Sequence, residues 1–383
     1  MSRHPAQAAA LLAALMLAGS ALAGNPPAIE WQRHYAGLEA STGNWVEPTS
    51  DGGYALVGMT LSSGDSSIAL YLVKTDSLGQ QEWERRYTGG HNYAGHCVQT
   101  TPDGGYVLLG SASRPYADTP WTDQPYLVKT DSAGHILWHR VYIADTLESG
   151  YCVLPVSDGG FVLTCMNPAK DSGLFLVRTD SLGEIAWRRT YAVPYGLPPR
   201  FIPVIPSSTG GYVVGTKGLL KTDSAGAQVW LRTYLQIREV SDVTELPTGG
   251  YVGAGSGYYG EPSHYDSTCA VLFRTDSQGN LLWVQDVGNR RSYGATSVTR
   301  APDGGFIVAA QGVPSYGFLA RTDSSGAVLW SKDLKDLPGF NRGIVASQVR
   351  YAPDGTVLVV GTCDNPAVAA QVMCLWKLQP ETN

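Results

Sequence analysis

The most regular acidic residues of this 383-residue chain stand in six turns of the form Thr-Asp-Ser-x-Gly, at Asp76, Asp131, Asp180, Asp223, Asp276 and Asp323. An oxygen-bearing turn repeated at fixed spacing suggests a ring of calcium sites. Calcium takes six or more oxygens, however, and loops that supply them carry several acids in alternation. Each turn here has a single Asp, so the carboxylate is read as closing its own hairpin onto nearby backbone amides. The six cysteines show no C-x-x-C pair and no accompanying His, so no metal site is expected. Cys363 and Cys374 flank one hairpin connection and are candidates for a disulfide. Cys152 and Cys165 flank the Asp158-Gly159 turn and would face each other only across a two-residue loop.

Catalytic signatures are absent. The chain has no Gly-x-Ser-x-Gly elbow, no His-Glu-x-x-His helix and no phosphate-binding Gly loop. His91 and His96 lie near one another in a variable segment, whereas His135 and His139 flank the repeat's own Trp138. A glycosidase needs two carboxylates across a cleft; Asp123, Glu148, Glu261 and Asp266 are the acids whose loop positions would suit one.

The elements that must position these residues follow from a sevenfold repeat. An Asp-Gly-Gly or Thr-Gly-Gly turn recurs at Asp51, Asp103, Asp158, Thr209, Thr248, Asp303 and, shortened, Asp354. Its intervals run from 39 residues (Thr209 to Thr248) to 55 (Asp103 to Asp158). A Lys or Arg precedes each Thr-Asp-Ser, and a Trp follows at fixed spacing: Trp83, Trp138, Trp187, Trp230, Trp283 and Trp330. This period suits four-stranded propeller blades. In the second copy the alternation gives strand a around Cys97–Thr101, b as Tyr106–Ser111, c as Tyr126–Thr130 and d as Ile136–Tyr142. The seventh copy ends after its c strand, Met373–Leu378. A stray d strand stands at the other end of the chain, with Trp31 and Tyr35 spaced like Trp83 and Tyr87. The expected fold is therefore all-β, a single seven-bladed β-propeller over residues 24–383, its ring closed by residues 28–36 as the outer strand of the last blade. Closure removes open sheet edges. The Lys or Arg before each Thr-Asp (Lys74 in copy one) is read as stacking on the Trp of its own blade.

Residues 1–23 read as an export leader: Arg3 and His4, an apolar run over Ala8–Leu17, and Ala21-Leu22-Ala23 before Gly24. A periplasmic or extracellular protein is expected, without membrane insertion, and as a monomer. The net charge of −6 and the lack of a basic cluster exclude nucleic acid as a natural partner.

In a propeller the a–b and c–d turns share one face, and here they are short and alike. The b–c and d–a loops share the other, and there the copies differ. Copy two carries an insertion at Ser113–Gln124 with Tyr116, Trp121 and Asp123. Copy five carries Tyr258–Ser267 with Tyr259, His264 and Tyr265. The d–a loops add His91, Tyr93 and Arg290. Aromatics mixed with polar tips suit a protein or glycan surface.

The Asp-Gly-Gly-Tyr and Lys-Thr-Asp-Ser-x-Gly-x-x-x-Trp units resemble a broad group of bacterial secreted repeat proteins that go under lectin-like or quinoprotein-like names. The resemblance spans the mature chain and implies a propeller; it implies no catalytic residue. The quinoprotein label implies a different tryptophan-docking consensus and paired cofactor and calcium ligands. None is assignable, so no cofactor is expected. The c–d turn also resembles the Asp-box of sialidase-like propellers, but with longer spacing and no arginine triad. The sequence thus points to a non-enzymatic binding or scaffold module acting through its variable loop face. A glycan hydrolase or lyase with acids on that face, and a passive surface protein, are the alternatives.

Overall fold

The computed structural model describes residues 27–380 apart from 36–39, 62–66, 89–91, 117–118, 143–147, 168–172, 194–200, 259–267, 289–291, 313–315, 337–343 and 366–369. These residues form seven four-stranded antiparallel sheets arranged as the blades of a ring. Blade one runs Ser41–Pro48 (strand a), Tyr54–Leu61 (b), Ile68–Thr75 (c) and Gln81–Tyr87 (d). The b and c strands are short continuous apolar runs because both of their faces are covered. Every residue of Phe161–Met166 and Leu174–Thr179 in blade three is buried, whereas the outer strand Ile185–Tyr191 is largely exposed. In blade seven, Ile29–Tyr35 pairs antiparallel with Ala370–Leu378, followed inward by Val357–Asn365 and Val345–Tyr351. Blade one then meets blade seven directly: the amides of Val46 and Met373 donate to Gln348 Oε1 and Ser41 Oγ at 2.7 and 2.8 Å.

The repeated residues lock hairpins and join blades. Asp76 Oδ1 accepts the amides of Leu78 (2.9 Å) and Gln80 (2.8 Å), and Asp131, Asp180, Asp223, Asp276 and Asp323 do the same. These carboxylates are engaged in hairpin closure, as the single Asp per turn predicts. The Lys or Arg of each copy is placed differently from the sequence expectation. A bulge after Lys74 puts it directly opposite Trp83 rather than one pair away, and its ammonium reaches Asp51 of the Asp-Gly-Gly turn at 2.7 Å. Lys129–Asp103, Arg178–Asp158, Arg321–Asp303 and Lys377–Asp354 repeat the pair. The second Gly of the turn leaves room for this cation: a Cβ on Gly53 would lie 2.7 Å from Lys74 Nζ. The guanidinium over Trp83 belongs instead to Arg85, 5.2 Å from the ring centroid.

Except for Trp330, each Trp at this position, Trp31 included, packs on the next blade. Its ring covers the Gly of that blade's Asp-Ser-x-Gly turn, as Trp83 covers Gly134, and a Cβ there would come within 2.7 Å of the indole. Four residues on, a Tyr hydroxyl donates to the same Gly carbonyl: Tyr35 to Gly79, Tyr87 to Gly134, Tyr142 to Gly183, Tyr191 to Gly226 and Tyr234 to Gly279, at 2.6–2.9 Å.

One further expectation is corrected, and the cysteine pairs are decided. The Ser113–Gln124 insertion is not a loop but the continuation of strands b and c, Tyr106–Tyr116 and Thr119–Thr130, paired as far as Tyr116 with Thr119. Cys152 does not face Cys165: Val156 pairs with Gly160 across a three-residue loop, and that register sets Cys152 opposite Thr164. Cys363 and Cys374 are joined by a disulfide within blade seven.

Candidate functional site

Aligning the seven a strands on their turns explains how the centre of the ring is built. Five residues before the Asp or Thr of each turn stands a Val: Val46, Val98, Val153, Val204, Val243, Val298 and Val349. All seven are buried in the blade cores. Side chains alternate along a strand, so the neighbours of this Val share the opposite side, and there the copies disagree. One residue on, the tier reads Glu47, Gln99, Leu154, Ile205, Thr244, Thr299 and Arg350. Together with Trp45, Cys152, Pro203 and Asp242 from the preceding tier, these residues line a cavity of about 320 Å³ to which all seven innermost strands contribute. Its lining includes Pro206 and Arg300, the last residues of their strands before the a–b turns. The cavity therefore lies toward the a–b turn end of the channel. Variation between copies is not confined to the opposite face, as the loops alone suggested.

Comparison with known proteins bears on the ring and not on this cavity. No family model matches the chain, and no curated protein does. Solved structures do. YCF48 from Cyanidioschyzon merolae is 12% identical, with a TM-score of 0.53, over 90% of this chain and 98% of that one. The Neurospora crassa Pan2 WD40 domain is 9% identical, with a TM-score of 0.51, over 85% and 89%. BBS1N, solved in complex with ARL6DN, is 11% identical, with a TM-score of 0.52, over 94% and 99%. The chain is a β-propeller, and at these identities the likeness extends to the fold alone.

The cavity's charges are few and unequally engaged. Arg350 donates to Asp242 Oδ2 (3.0 Å), Ser297 Oγ (3.1 Å) and the Val349 carbonyl (3.0 Å), with its guanidinium 5.0 Å from the Trp45 ring centroid. Burial opposes the Arg350 charge, but Asp242 more than offsets this and holds the guanidinium above its ordinary range. Asp242 also accepts Ser297 Oγ (2.7 Å) and the amides of Val298 (3.1 Å) and Val243 (2.9 Å). Its carboxylate is thus saturated by contacts that tie blades five, six and seven together. Glu47 is different. It accepts Gln99 Nε2 at 3.2 Å, and burial pushes its carboxyl up to about 6 against the pull of Arg350 and of the Trp45 and Gln99 side chains. The buried Trp45 Nε1 acts on this carboxylate, though short of a well-formed hydrogen bond.

The sequence-predicted rim residues are dispersed by comparison. His91, Tyr259, His264, Tyr265 and Arg290 lie outside the described residues. Tyr116 and Trp121 sit on the extended hairpin of blade two. Tyr93 is no rim residue: it opens strand a of blade two and is 7% exposed, its ring 4.8 Å from Tyr126. Asp123 accepts Ser113 Oγ and, at 3.5 Å, Ser149 Oγ. Glu148, proposed by position as a catalytic acid, is buried and takes Arg188 at 2.6 Å. A second cavity, of about 420 Å³, is lined by Gln236, Tyr258, Cys269 and the outer strand of blade five. Among the described residues the one His/Cys cluster tight enough for a metal is His34 with Cys363 and Cys374, whose sulfurs are bonded to each other.

Proposed function

We propose that this protein is an exported, non-enzymatic recognition module that engages a partner protein at the a–b turn end of its channel. A basic side chain of the partner enters the cavity and meets Glu47. The observation that carries this reading is the placement of a half-buried carboxylate, with no ion pair among the described residues, in a cavity to which every blade contributes. At neutral pH Glu47 is mostly ionised, yet burial penalises its charge. A cation placed against it recovers that cost. Hydrolase chemistry is disfavoured because the second carboxylate, Asp242, is spent on Arg350, Ser297 and two amides. BBS1N, similar in fold, was solved in complex with another protein, which is the kind of use proposed here.

The test is titration of the full chain with butylguanidinium and butylammonium, followed by calorimetry and by Trp fluorescence. Binding in the millimolar range is expected for ligands this small, lost on Glu47→Gln and weakened below pH 6 as Glu47 protonates. Equal binding by Glu47→Gln would sink the proposal. A second reading keeps the other face as a glycan or protein surface. It is favoured by the extended blade-two hairpin and by the cavity beside Tyr258, and a glycan array on a variant lacking residues 113–124 separates the two.

A further inference from the structure

Position for position, Cys97 and Cys152 are the same residue of the repeat in neighbouring blades: each stands six before its turn, in the tier that also holds Trp45 and Asp242. Adjacent members of this tier approach each other between blades, and here two thiols meet. Their sulfurs are 3.3 Å apart across 55 residues of sequence, closer than two unbonded sulfurs normally rest. The Val153 amide donates toward Cys97 Sγ at 3.4 Å, a contact that favours a thiolate there. Cys97 is fully enclosed, whereas Cys152 lines the channel cavity.

We propose that Cys97 and Cys152 form a second disulfide, one that joins the innermost strands of blades two and three and is made by exchange with a small-molecule disulfide entering through the channel cavity. The thiolate of Cys152 attacks one sulfur of the oxidant, whose S–S bond breaks. One half leaves as a thiolate with the bonding electrons and takes up a proton; the other half stays on Cys152. Cys97 gives up its proton and attacks the Cys152 sulfur, and the second half leaves as a thiol. In total two protein thiols lose two protons and two electrons, and one disulfide is reduced to two thiols. Burial pushes the Cys97 thiol well above the ordinary range, so the second step is the slow one. The product differs from the Cys363–Cys374 bridge, which ties two strands of one blade.

The test uses the full chain, with hydroxyethyl disulfide as oxidant, both added to native protein and present during refolding. Of the four cysteines outside the first disulfide, two should lose reactivity toward an alkylating agent after unfolding. The mass should fall by about 2 Da, and peptide mapping should find Cys97 linked to Cys152. Closing so long a loop should also raise Tm by several degrees. Cys97→Ser should instead stop at a mixed disulfide on Cys152, and Cys165→Ser should behave as the parent. Four reactive thiols after refolding in oxidant, a Cys152–Cys165 link, or a mixed disulfide as the end point in the parent chain would each overturn the inference. Because the readout is chemical mapping of wild-type protein, a variant that folds poorly does not decide it.

Discussion

At the scale of single residues, the two most conspicuous parts of the repeat are counterions of each other. Where the turn keeps its Asp, the Lys or Arg of the blade is paired; in blades four and five Thr209 and Thr248 replace it. There Lys221 reaches only the Gly210 carbonyl, and Arg274 Nε is buried without a hydrogen-bond partner among the described residues. Thr248→Asp should therefore stabilise the protein, by about 1 kcal/mol, measured by urea melts against the parent. For Asp51 and Asp103, partial burial is outweighed by the Lys, Thr and backbone hydrogen bonds, which hold both at about 2 against an ordinary 3.8. A depressed carboxylate contributes stability that is present above pH 3.8 and lost as pH falls through about 2. Replacing both by Asn should flatten the Tm–pH profile across that window. Glu47 has the opposite sign. Raised from 4.5 to about 6, its contribution is present at low pH and lost as pH rises through about 6. Glu47→Gln should thus match the parent near pH 4.5 and exceed it above pH 6, by up to ~2 kcal/mol. The cation's partner is not legible in the sequence of its own hairpin. Lys74 does share a face with Trp83, directly opposite it, but its ammonium is taken by Asp51 of the a–b turn, a partner from another hairpin that the c–d spacing does not reveal.

At the scale of elements, the blade joint is the unit that the repeat encodes. Trp, Tyr and the positive-φ Gly of the following turn form one contact, so their spacing is fixed by geometry between blades and not within them. Tyr87→Phe, which removes the hydroxyl donated to the Gly134 carbonyl at 2.8 Å, should cost about 1 kcal/mol. Gly134→Ala should cost more than ~2 kcal/mol. It forces a Cβ against Trp83 in a backbone with φ of 76°. Denaturant midpoints of the two variants check the order. The strands and their turns were legible because alternation and Asp-Gly signals are local. The site was harder to read, although its signal was present: seven aligned Val residues with variable neighbours. Loop-length differences are visible without aligning strands, whereas a tier of channel residues appears only once the copies are superposed on their turns. Tyr93 was misplaced for a related reason. Strand a of blade two begins at Asn92, five residues before the Cys97 at which the alternation first becomes clear.

At the scale of the whole molecule, the ring is held shut by strands from opposite ends of the chain, and the joint between blades six and seven lacks the repeat's own fastening. Blade seven has no Asp-Ser-x-Gly turn, so Trp330 has no turn Gly to cover, and Leu334, like Val287 of blade five, stands where five blades supply the Tyr hydroxyl. The two ends are already arranged as a hairpin: Leu378 pairs with Ile29, and the Gln379 amide donates to the Ala28 carbonyl at 2.9 Å. Inserting Asp-Ser-Ala-Gly between Leu378 and Ala28 reproduces the spacing from Thr130 to Trp138, with Leu378 and Trp31 in their places. A permutant built this way, beginning at Ala40 and ending at Tyr35, carries the seventh turn that the natural order cannot have. It replaces the longest-range strand pairing in the chain by a local one, which lowers the entropic cost of closure before contacts form. The permutant should be monomeric by light scattering, melt at or above the parent's temperature and refold faster. Deleting residues 24–35 instead leaves Ala370–Leu378 as an open apolar edge and should give aggregates. If the permutant aggregated while the truncation stayed monomeric, Ile29–Tyr35 would not be what closes the ring.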